Sequence, residues 1–168
     1  MPIIAGEIMD RIIQIDNDRA LRHYKPSDMD NIIALHEESL KNTNAFFPGP
    51  WNDDMKAIDE VYLRPGGCFL VIEEDELIIA MGALKIISEH EAEIKRMRVN
   101  PDKQRMGLGQ IILAQLILHA KNRGIKRLIL DTAEMQIAAQ KLYEKNGFVR
   151  CGSSVWHNMN LLLYEKHL

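Results

Sequence analysis

The sequence predicts a mixed α/β (α+β) domain with a mainly antiparallel sheet of six to seven strands, flanked by about four helices. Apolar runs with a period of two alternate along the chain with segments whose apolar residues recur every three or four positions. One strand–helix–strand unit surrounds the pair Gly107 and Gly109, which adds a parallel crossover. No repeat or Pro/Ser-rich linker divides these elements, so a single domain is expected over residues 1–168, with 1–18 as an N-terminal extension.

The first elements are a strand and a helix. The stretch RALRHY (19–24) is a short strand candidate. Ser27 or Asp28 can cap the helix that follows in DMDNIIALHEESLK, whose inner stripe includes Leu35 and His36. His36 on that apolar stripe is interpreted as a packing residue.

An aromatic loop and a β-hairpin come next. The loop NTNAFFPGPWNDD leads to a second predicted helix, DDMKAIDEVYLRP, whose Asp53 and Asp54 are interpreted as solvated helix caps or as acids that attract a cationic amine. The apolar runs CFLVIEEDE and ELIIAMGALKII are joined by a tight acidic turn. They predict an antiparallel hairpin.

The third strand of this group, EHEAEIKRMRVN, changes phase in its middle. Its apolar residues lie at Ala92 and Ile94, and then at Met97 and Val99. Because side chains alternate between the faces of a sheet, a shift of one position across Lys95–Arg96 would expose half of the apolar side chains unless the strand bulges there. The sequence therefore predicts a bulged central strand.

The second half of the chain supplies two more helices and the last strands. GQIILAQLILHAKNRG and MQIAAQKLYEKNG are helices that end at Gly124 and Gly147, and KRLILDT between them is a strand covered on both faces. FVRCG and NLLLYEKHL are the final strands. The last of these is a candidate edge at which a second copy of the chain could pair, so a homodimer is one expectation.

Composition narrows the classes of function. A net charge of −3 argues against nucleic-acid binding, which normally requires a basic surface. No signal peptide or membrane-spanning run is recognised, and the two cysteines, Cys68 and Cys151, have no metal-ligand spacing. A cytoplasmic protein without a metal, membrane or nucleic-acid partner is expected.

The stretch QRMGLG opens a helix with two glycines and predicts a phosphate site. The first amides of a helix lack intrahelical acceptors, and glycine lets a phosphate approach them closely. A Walker A loop is excluded because the Gly-Lys-Ser/Thr string is missing. A dinucleotide fingerprint is incomplete because Ile112 occupies its third glycine position.

Two motifs at the expected separation give a family resemblance. MRVNPDKQRMGLGQIIL contains Val-x-Pro followed by Gln-x-x-Gly-x-Gly at a helix start, and Leu142 to Phe148 read LYEKNGF. The chain thereby resembles the GNAT superfamily of N-acetyltransferases over about residues 19–165, and the resemblance implies acetyl-CoA as co-substrate. Main-chain groups of Met97, Arg98 and Val99 are then expected to bind the pantetheine arm. The expected diphosphate loop consists of Gln104, Arg105, Met106, Gly107, Leu108, Gly109 and Gln110.

The resemblance also implies catalytic residues. Glu93 is the first candidate for the group that accepts the amine proton, with Glu91 on the same strand face and His90 as rivals. Tyr143 matches the family tyrosine whose hydroxyl faces the sulfur of the coenzyme. Gln136 stands where the family often has an asparagine that bonds the pantetheine arm.

The expected function is acetyl transfer to a primary amine of a small molecule or peptide. The alternatives are an acyl-CoA binding or sensing module without efficient turnover, and a nucleotide-binding domain. Aromatic side chains of the loop, Phe46, Phe47 and Trp51, either form a wall of the acceptor pocket or fill the core. The residue that meets the 3′-phosphate is left open among Lys103, Arg105, Lys141 and Lys145.

Overall fold

A computed structural model describes residues 11–41, 43 and 50–168. The strands are β1 (Ile13–Gln14), β2 (Arg19–His23), β3 (Cys68–Glu74), β4 (Leu77–Ile86), β5 (Glu91–Val99), β6 (Arg127–Ala133), β7 (Val149–Trp156) and β8 (Met159–His167). They form one sheet in the order β1-β2-β3-β4-β5-β6-β8-β7, and only β5 and β6 are parallel. The predicted fold class is confirmed, with eight strands instead of six or seven. The additional strand, β1, lies in the predicted N-terminal extension and pairs with β2.

The described residues form three α-helices: α1 (Met29–Leu40), α2 (Leu108–Asn122) and α3 (Ile137–Lys145). The helix predicted in DDMKAIDEVYLRP is instead a 3₁₀ segment, Pro50–Lys56, followed by one π-helical turn, Asp59–Leu63. The π-helical turn is closed by a hydrogen bond of 2.8 Å that the Arg64 amide donates to the Asp59 carbonyl, five residues earlier. Among the described residues, no helix combines the length and apolarity needed to cross a membrane.

The two faces of the sheet carry separate apolar clusters. On one face, α2 and α3 pack on side chains that include Leu84, Ile94 and Leu130. On the other face, α1 and the π-helical turn cover Val71 and Met81, together with the remaining members of a second cluster. Each strand alternates between these faces, so the face of any β5 side chain can be read from its partner on β4.

The last strand does not lie at an edge. β8 pairs with β6 along Arg127–Ala133 and with β7 on its other side. The expectation that LLLYEKHL offers an edge to a second copy is therefore wrong, because β7 returns as a hairpin and covers it. Strand order is a long-range property that the local apolar pattern of NLLLYEKHL does not encode.

Candidate active site

A cleft opens in the middle of the sheet because β5 and β6 separate. The two strands pair only from Glu91 to Glu93 on β5 and from Arg127 to Ile129 on β6. From Ile94 onward, no described strand pairs with this edge of β5, so its outward-facing main-chain groups border a cavity of about 1010 Å³. A free strand edge of this kind can accept an extended ligand as an additional strand.

The predicted bulge is confirmed and decides which β5 side chains face each side of the sheet. Lys95 lies opposite Ala83 and Arg98 lies opposite Met81, so two β5 residues, Arg96 and Met97, oppose the single residue Gly82. Arg96 takes up the extra length with a φ of 58°. Before the bulge the odd-numbered residues share the α1 face with Ala83, and after it the even-numbered Arg98 shares that face with Met81.

The glycine loop has the geometry of a main-chain anion site. Gly107 caps α2 in the left-handed region, with φ 77°, and contributes no capping side chain to the first helical amides. A Cβ at Gly107 would meet no atom within 4 Å, and Gly107 lines the cavity, so there is open space beside the start of the helix. A Cβ at Gly109 would lie 3.3 Å from the Leu142 side chain, so this glycine permits close packing of α2 on α3.

Most of the predicted site residues meet in this one cleft. The residues that line it are Glu93, Met97, Arg98, Val99, Gln104, Arg105, Gly107, Leu108, Gly109, Gln110, Gln136 and Tyr143. Within the described part of the chain, Met106, Glu91 and its rival His90 are absent from the cavity wall, as are Lys141 and Lys145. Met106 is 48% exposed, and Glu91 is bound by Arg127, with 2.5 Å between the Glu91 and Arg127 side chains.

Two glutamines in the cleft have structural partners of their own. The Gln136 side-chain oxygen accepts from the Thr132 hydroxyl at 2.9 Å and from the Ala133 amide at 3.3 Å. The Gln110 amide exchanges two hydrogen bonds with Asn146 at 2.9 and 2.8 Å and so ties α2 to α3. These hydrogen bonds hold the elements that form the cleft walls in place. The sequence patterns did not indicate this role for either glutamine.

Tyr143 is buried at the wall of the cleft between α3 and the sheet. Its ring packs against Phe148 and Tyr164, with centroids 5.9 and 6.4 Å away. Its hydroxyl has no hydrogen-bond partner among the described residues. Burial raises the pKa of Tyr143 to about 12, with Arg98 opposing and Asp131 adding to the shift, so the phenol stays protonated at neutral pH. A protonated hydroxyl here is a hydrogen-bond donor directed at the cleft.

Glu93 is the acid of β5 that reaches the cleft. It lies on the α1 face beside Lys95, whose Nζ is 3.5 Å from a Glu93 carboxylate oxygen. Glu91 carries its charge in a pair with Arg127, which also binds Glu165 at 2.7 Å. The structure therefore favours Glu93 over Glu91 as the residue that can meet a substrate.

A buried ion-pair network supports the α1 side of the cleft and was not recognised in the sequence. Asp54 forms a two-point ion pair with Arg96 and also accepts a hydrogen bond from the Tyr62 hydroxyl. Burial acts to raise the pKa of Asp54, but the bonds from Arg96 and Tyr62 outweigh it and the pKa is lowered. The interpretation of Asp54 as a solvated cap is wrong, because a bulge residue 42 positions away binds it. Asp53, its neighbour, is 64% exposed and does fit that interpretation.

His36 of α1 also reaches the cleft, instead of only packing in the core. It is buried, lines the cavity, and its Nδ1 has no hydrogen-bond partner in the described structure. Burial, with the nearby charges of Arg98 and Arg96, lowers the pKa of His36 to about 3. His36 is therefore neutral at neutral pH.

The lowered pKa of His36 predicts a loss of stability in acid. Because the unfolded histidine has a pKa of about 6.5, the unfolded state binds the extra proton first, so this contribution is intact above pH 6.5 and is lost as the pH falls. Between pH 7 and pH 5, the wild type should lose roughly 2 kcal/mol of unfolding free energy because of His36. The His36→Gln variant should not show this loss. Urea unfolding at both pH values measures this difference. His167→Gln, at an exposed histidine, is the control and should retain the wild-type acid loss.

The rings of the aromatic loop lie outside this description. Phe46 and Phe47 fall among residues that the structure does not describe, and the side chain of Trp51 is likewise outside it. The described wall of the cleft on this side consists of α1 residues such as Ser39 and Leu40, together with Asn52. Among the basic residues considered for the 3′-phosphate, Lys103 and Arg105 border the cleft, and Lys103 forms an ion pair with Glu74.

Known proteins resemble this chain in sequence and in fold. Uncharacterized N-acetyltransferase YsnE of Bacillus subtilis is 31% identical over 134 residues, which cover 77% of this chain and 87% of the relative. Human N-acetyltransferase 8 is 30% identical over 124 residues, 64% of this chain. The matched region is 55% of that human protein, so this chain spans about half its length.

Solved structures agree on the architecture. A crystal structure of an acetyltransferase from Streptococcus agalactiae superposes with a TM-score of 0.83 at 20% identity and covers 91% of this chain and 100% of its own. The yncA protein of Salmonella typhimurium, a putative acetyltransferase solved with its cofactor acetyl-CoA, superposes with a TM-score of 0.76 at 19% identity and covers 90% of this chain and 94% of its own. At these identities the likeness establishes the fold.

The sequence profile of the acetyltransferase (GNAT) family matches residues 33–148, which contain the bulged strand, the glycine loop and Tyr143. That range includes most of α1 and every described element from there to α3. The same range carries both motifs recognised in the sequence, and their geometry agrees with a coenzyme cleft. The chain belongs to the acetyltransferase (GNAT) family.

Proposed function

We propose that this protein is an acetyl-CoA-dependent N-acetyltransferase that transfers an acetyl group directly to a primary amine of a small molecule or peptide. The observation that carries the proposal is the cleft between β5 and β6, because it connects the two faces of the sheet. Glycine-loop amides and Tyr143 border it on the α2/α3 side, and Glu93 borders it on the α1 side. Two substrates can therefore meet in it from opposite faces.

The residues on the α2/α3 side fit acetyl-CoA. The free edge of β5 offers main-chain groups of Met97, Arg98 and Val99 to a pantetheine arm, as an added strand would use them. The open space in front of Gly107 and the first amides of α2 suit a diphosphate. The presence of acetyl-CoA in the similarly folded yncA protein supports the same choice of co-substrate here.

The chain supplies a proton acceptor and a hydrogen-bond donor at the reacting end. Acetyl-CoA contributes an acetyl group activated as a thioester; the amine nitrogen forms a bond to the carbonyl carbon, and the carbon–sulfur bond breaks. Glu93 accepts the proton that the amine must lose, directly or through water. Tyr143 donates a hydrogen bond to the sulfur as negative charge develops there and then supplies the proton that the departing thiolate takes up; its raised pKa keeps that proton in place until the sulfur leaves.

Tyr143→Phe should separate this role from packing. Removing only the hydroxyl is expected to reduce kcat about 100-fold, the lower end of the range for a positioned proton donor, while acetyl-CoA affinity stays within about twofold. Steady-state kinetics and calorimetry measure the two quantities. Tyr164→Phe is the matched control, because Tyr164 is buried in the same cluster and donates to Glu144 at 2.9 Å, outside the cleft. Equal rates in the two variants would remove Tyr143 from the chemistry.

An amine panel tests the proposed function itself. The protein is incubated with acetyl-CoA and a series of amino acids, peptides, polyamines and aminoglycosides, and free CoA and acetylated amine are quantified by chromatography and mass spectrometry. Chromatography is preferred to a thiol reagent because Cys151 is exposed and would react. Burial raises the pKa of Cys68 to about 12, so that thiol is unreactive.

The outcomes of the panel separate the candidate functions. The proposal predicts release of CoA that depends on the amine and matches the acetylated product in amount. Binding of acetyl-CoA without acceptor-dependent release would instead identify a binding or sensing module. Stronger thermal stabilisation by NAD or ATP than by acetyl-CoA would favour the nucleotide-binding alternative.

A further inference from the structure

Arg98 is a partly buried cation of the cleft, and no ion pair among the described residues includes it. Among those residues its one side-chain hydrogen bond runs from a terminal guanidinium nitrogen to the Met97 carbonyl, at 2.7 Å. Its Nε is fully buried and has no partner among the described residues. A guanidinium carries five N–H donors in a planar fork that matches a carboxylate, so most of its donors are unused here.

Two other arginines that are withdrawn from solvent, Arg22 and Arg96, are paired. Arg22 binds both oxygens of Asp28, at 2.7 and 2.8 Å, and also Glu73 at 2.6 Å. Arg96, on the same strand as Arg98, is bound by Asp54 and Asn52. Because guanidinium donors that are withdrawn from water are costly when left unused, Arg98 is suited to bind an anionic ligand that enters the cleft.

The electrostatic surroundings of Arg98 also suit an anion. Burial first, and then the neighbouring charge of Arg96, lower the pKa of Arg98 to about 10. The charges of Tyr143, Asp131 and Asp54 oppose this shift only in part. Arg98 remains protonated at neutral pH, and a ligand carboxylate beside it would relieve both the burial and the repulsion from Arg96.

Arg98 lies on the acceptor side of the cleft. Its register partner Met81 belongs to the cluster under α1, whereas Gly107 and the diphosphate loop lie at α2 on the other face. The same cavity is lined by Glu93 and Asp131, two carboxylates that can face an ammonium group. Other cations also line the cavity, but Arg96 is paired with Asp54, Lys95 with Glu93 and Lys103 with Glu74. Arg98 together with the two carboxylates therefore complements a molecule that carries both an amine and a carboxylate.

We infer that Arg98 binds a carboxylate of the acceptor, and that the acceptor is an amino acid or a similar amine that carries a carboxylate near its amino group. The inference rests on the proposed acetyltransferase function. It assigns a specificity role to the Arg98 side chain, separate from the pantetheine contacts proposed for the Arg98 main chain.

Matched acceptor pairs test the inference. Each free amino acid of a set is compared with its own carboxamide, which keeps the amino group and side chain and loses the carboxylate charge. The carboxamide also has a lower amine pKa, so rates are compared per concentration of the neutral amine. The wild type should use the acids with a kcat/KM about 100-fold above that for the amides, as expected for one two-point charge-assisted contact. Arg98→Gln should abolish this preference by raising KM for the acids much more than KM for the amides. Arg64→Gln, at an exposed arginine on the protein surface, should retain it.

A binding measurement distinguishes failure of this inference from failure of the proposed function. With free CoA in place of acetyl-CoA no transfer can occur, and calorimetry should detect binding of the acids but not of the amides. Preferential use of the amides, or an equal fall in kcat for both classes in Arg98→Gln, would overturn the inference while the enzyme remains an acetyltransferase. Absence of turnover and of binding for all amines would overturn the proposed function, and this inference with it.

Discussion

Gly107→Glu is expected to weaken acetyl-CoA binding at least about 100-fold. Gly107 has a φ of 77° and lines the cleft, and a side chain there would enter the open space beside the start of α2. A carboxylate in that space would occupy the diphosphate position and repel its charge, which together remove several charge-assisted hydrogen bonds. Calorimetric titration of the variant with acetyl-CoA measures the loss.

Gly124→Glu is a matched control at the other end of the same helix. Gly124 also has a positive φ, 75°, and a Cβ there would likewise meet no atom within 4 Å. Both substitutions should therefore cost about 1–2 kcal/mol of stability from backbone strain, but only the one at Gly107 should reduce binding. If both variants bound acetyl-CoA as tightly as the wild type, Gly107 would be needed only for the backbone conformation at the start of the helix.

Asp54→Ala is expected to be the most destabilising single change among the charged residues of the site, at about 3–5 kcal/mol. Its carboxylate is 18% exposed and binds Arg96 of the bulge and Tyr62 of the π-helical turn. Without it, the Arg96 charge loses its carboxylate in a buried position and the Tyr62 hydroxyl loses its acceptor. Urea unfolding, with the free energy extrapolated to water, measures the loss.

The neighbouring carboxylate provides the control for Asp54. Asp53 is exposed and faces Lys56 at 3.7 Å, so Asp53→Ala should change stability by less than about 0.5 kcal/mol. Asp54→Ala combined with Arg96→Met should be less destabilised than the sum of the two single variants, because the pair is removed together. Similar small losses for Asp53→Ala and Asp54→Ala would show that the network does not stabilise the fold.

Local patterns in the sequence predicted the parts of the site that depend on the backbone. The phase change across Lys95–Arg96 located the bulge to within one residue, because the alternation of side chains between the two faces determines where apolar residues occur along the strand. The two glycines of QRMGLG indicated the helix entrance for a similar reason, since the positive φ of Gly107 and the close packing at Gly109 both restrict the residue type. The LYEKNGF motif placed Tyr143, which does line the cleft.

Contacts between distant segments could not be predicted in the same way. The pairing of Asp54 with Arg96 spans 42 positions, and nothing near Asp54 distinguishes it from the exposed Asp53. The position of Arg98 opposite Met81 depends on the strand register, and the interior position of β8 depends on the strand order. These features follow from how the elements assemble, so they require the structure.

The central claim is that main-chain amides at the Gly107 turn bind the diphosphate of coenzyme A. Titration calorimetry of the wild type with acetyl-CoA and with acetylpantetheine, which keeps the thioester arm but has no phosphate, tests it most directly. The account predicts that acetyl-CoA binds at least about 100-fold more tightly than acetylpantetheine. Equal affinity for the two ligands, or no binding of acetyl-CoA at millimolar concentration, would contradict it.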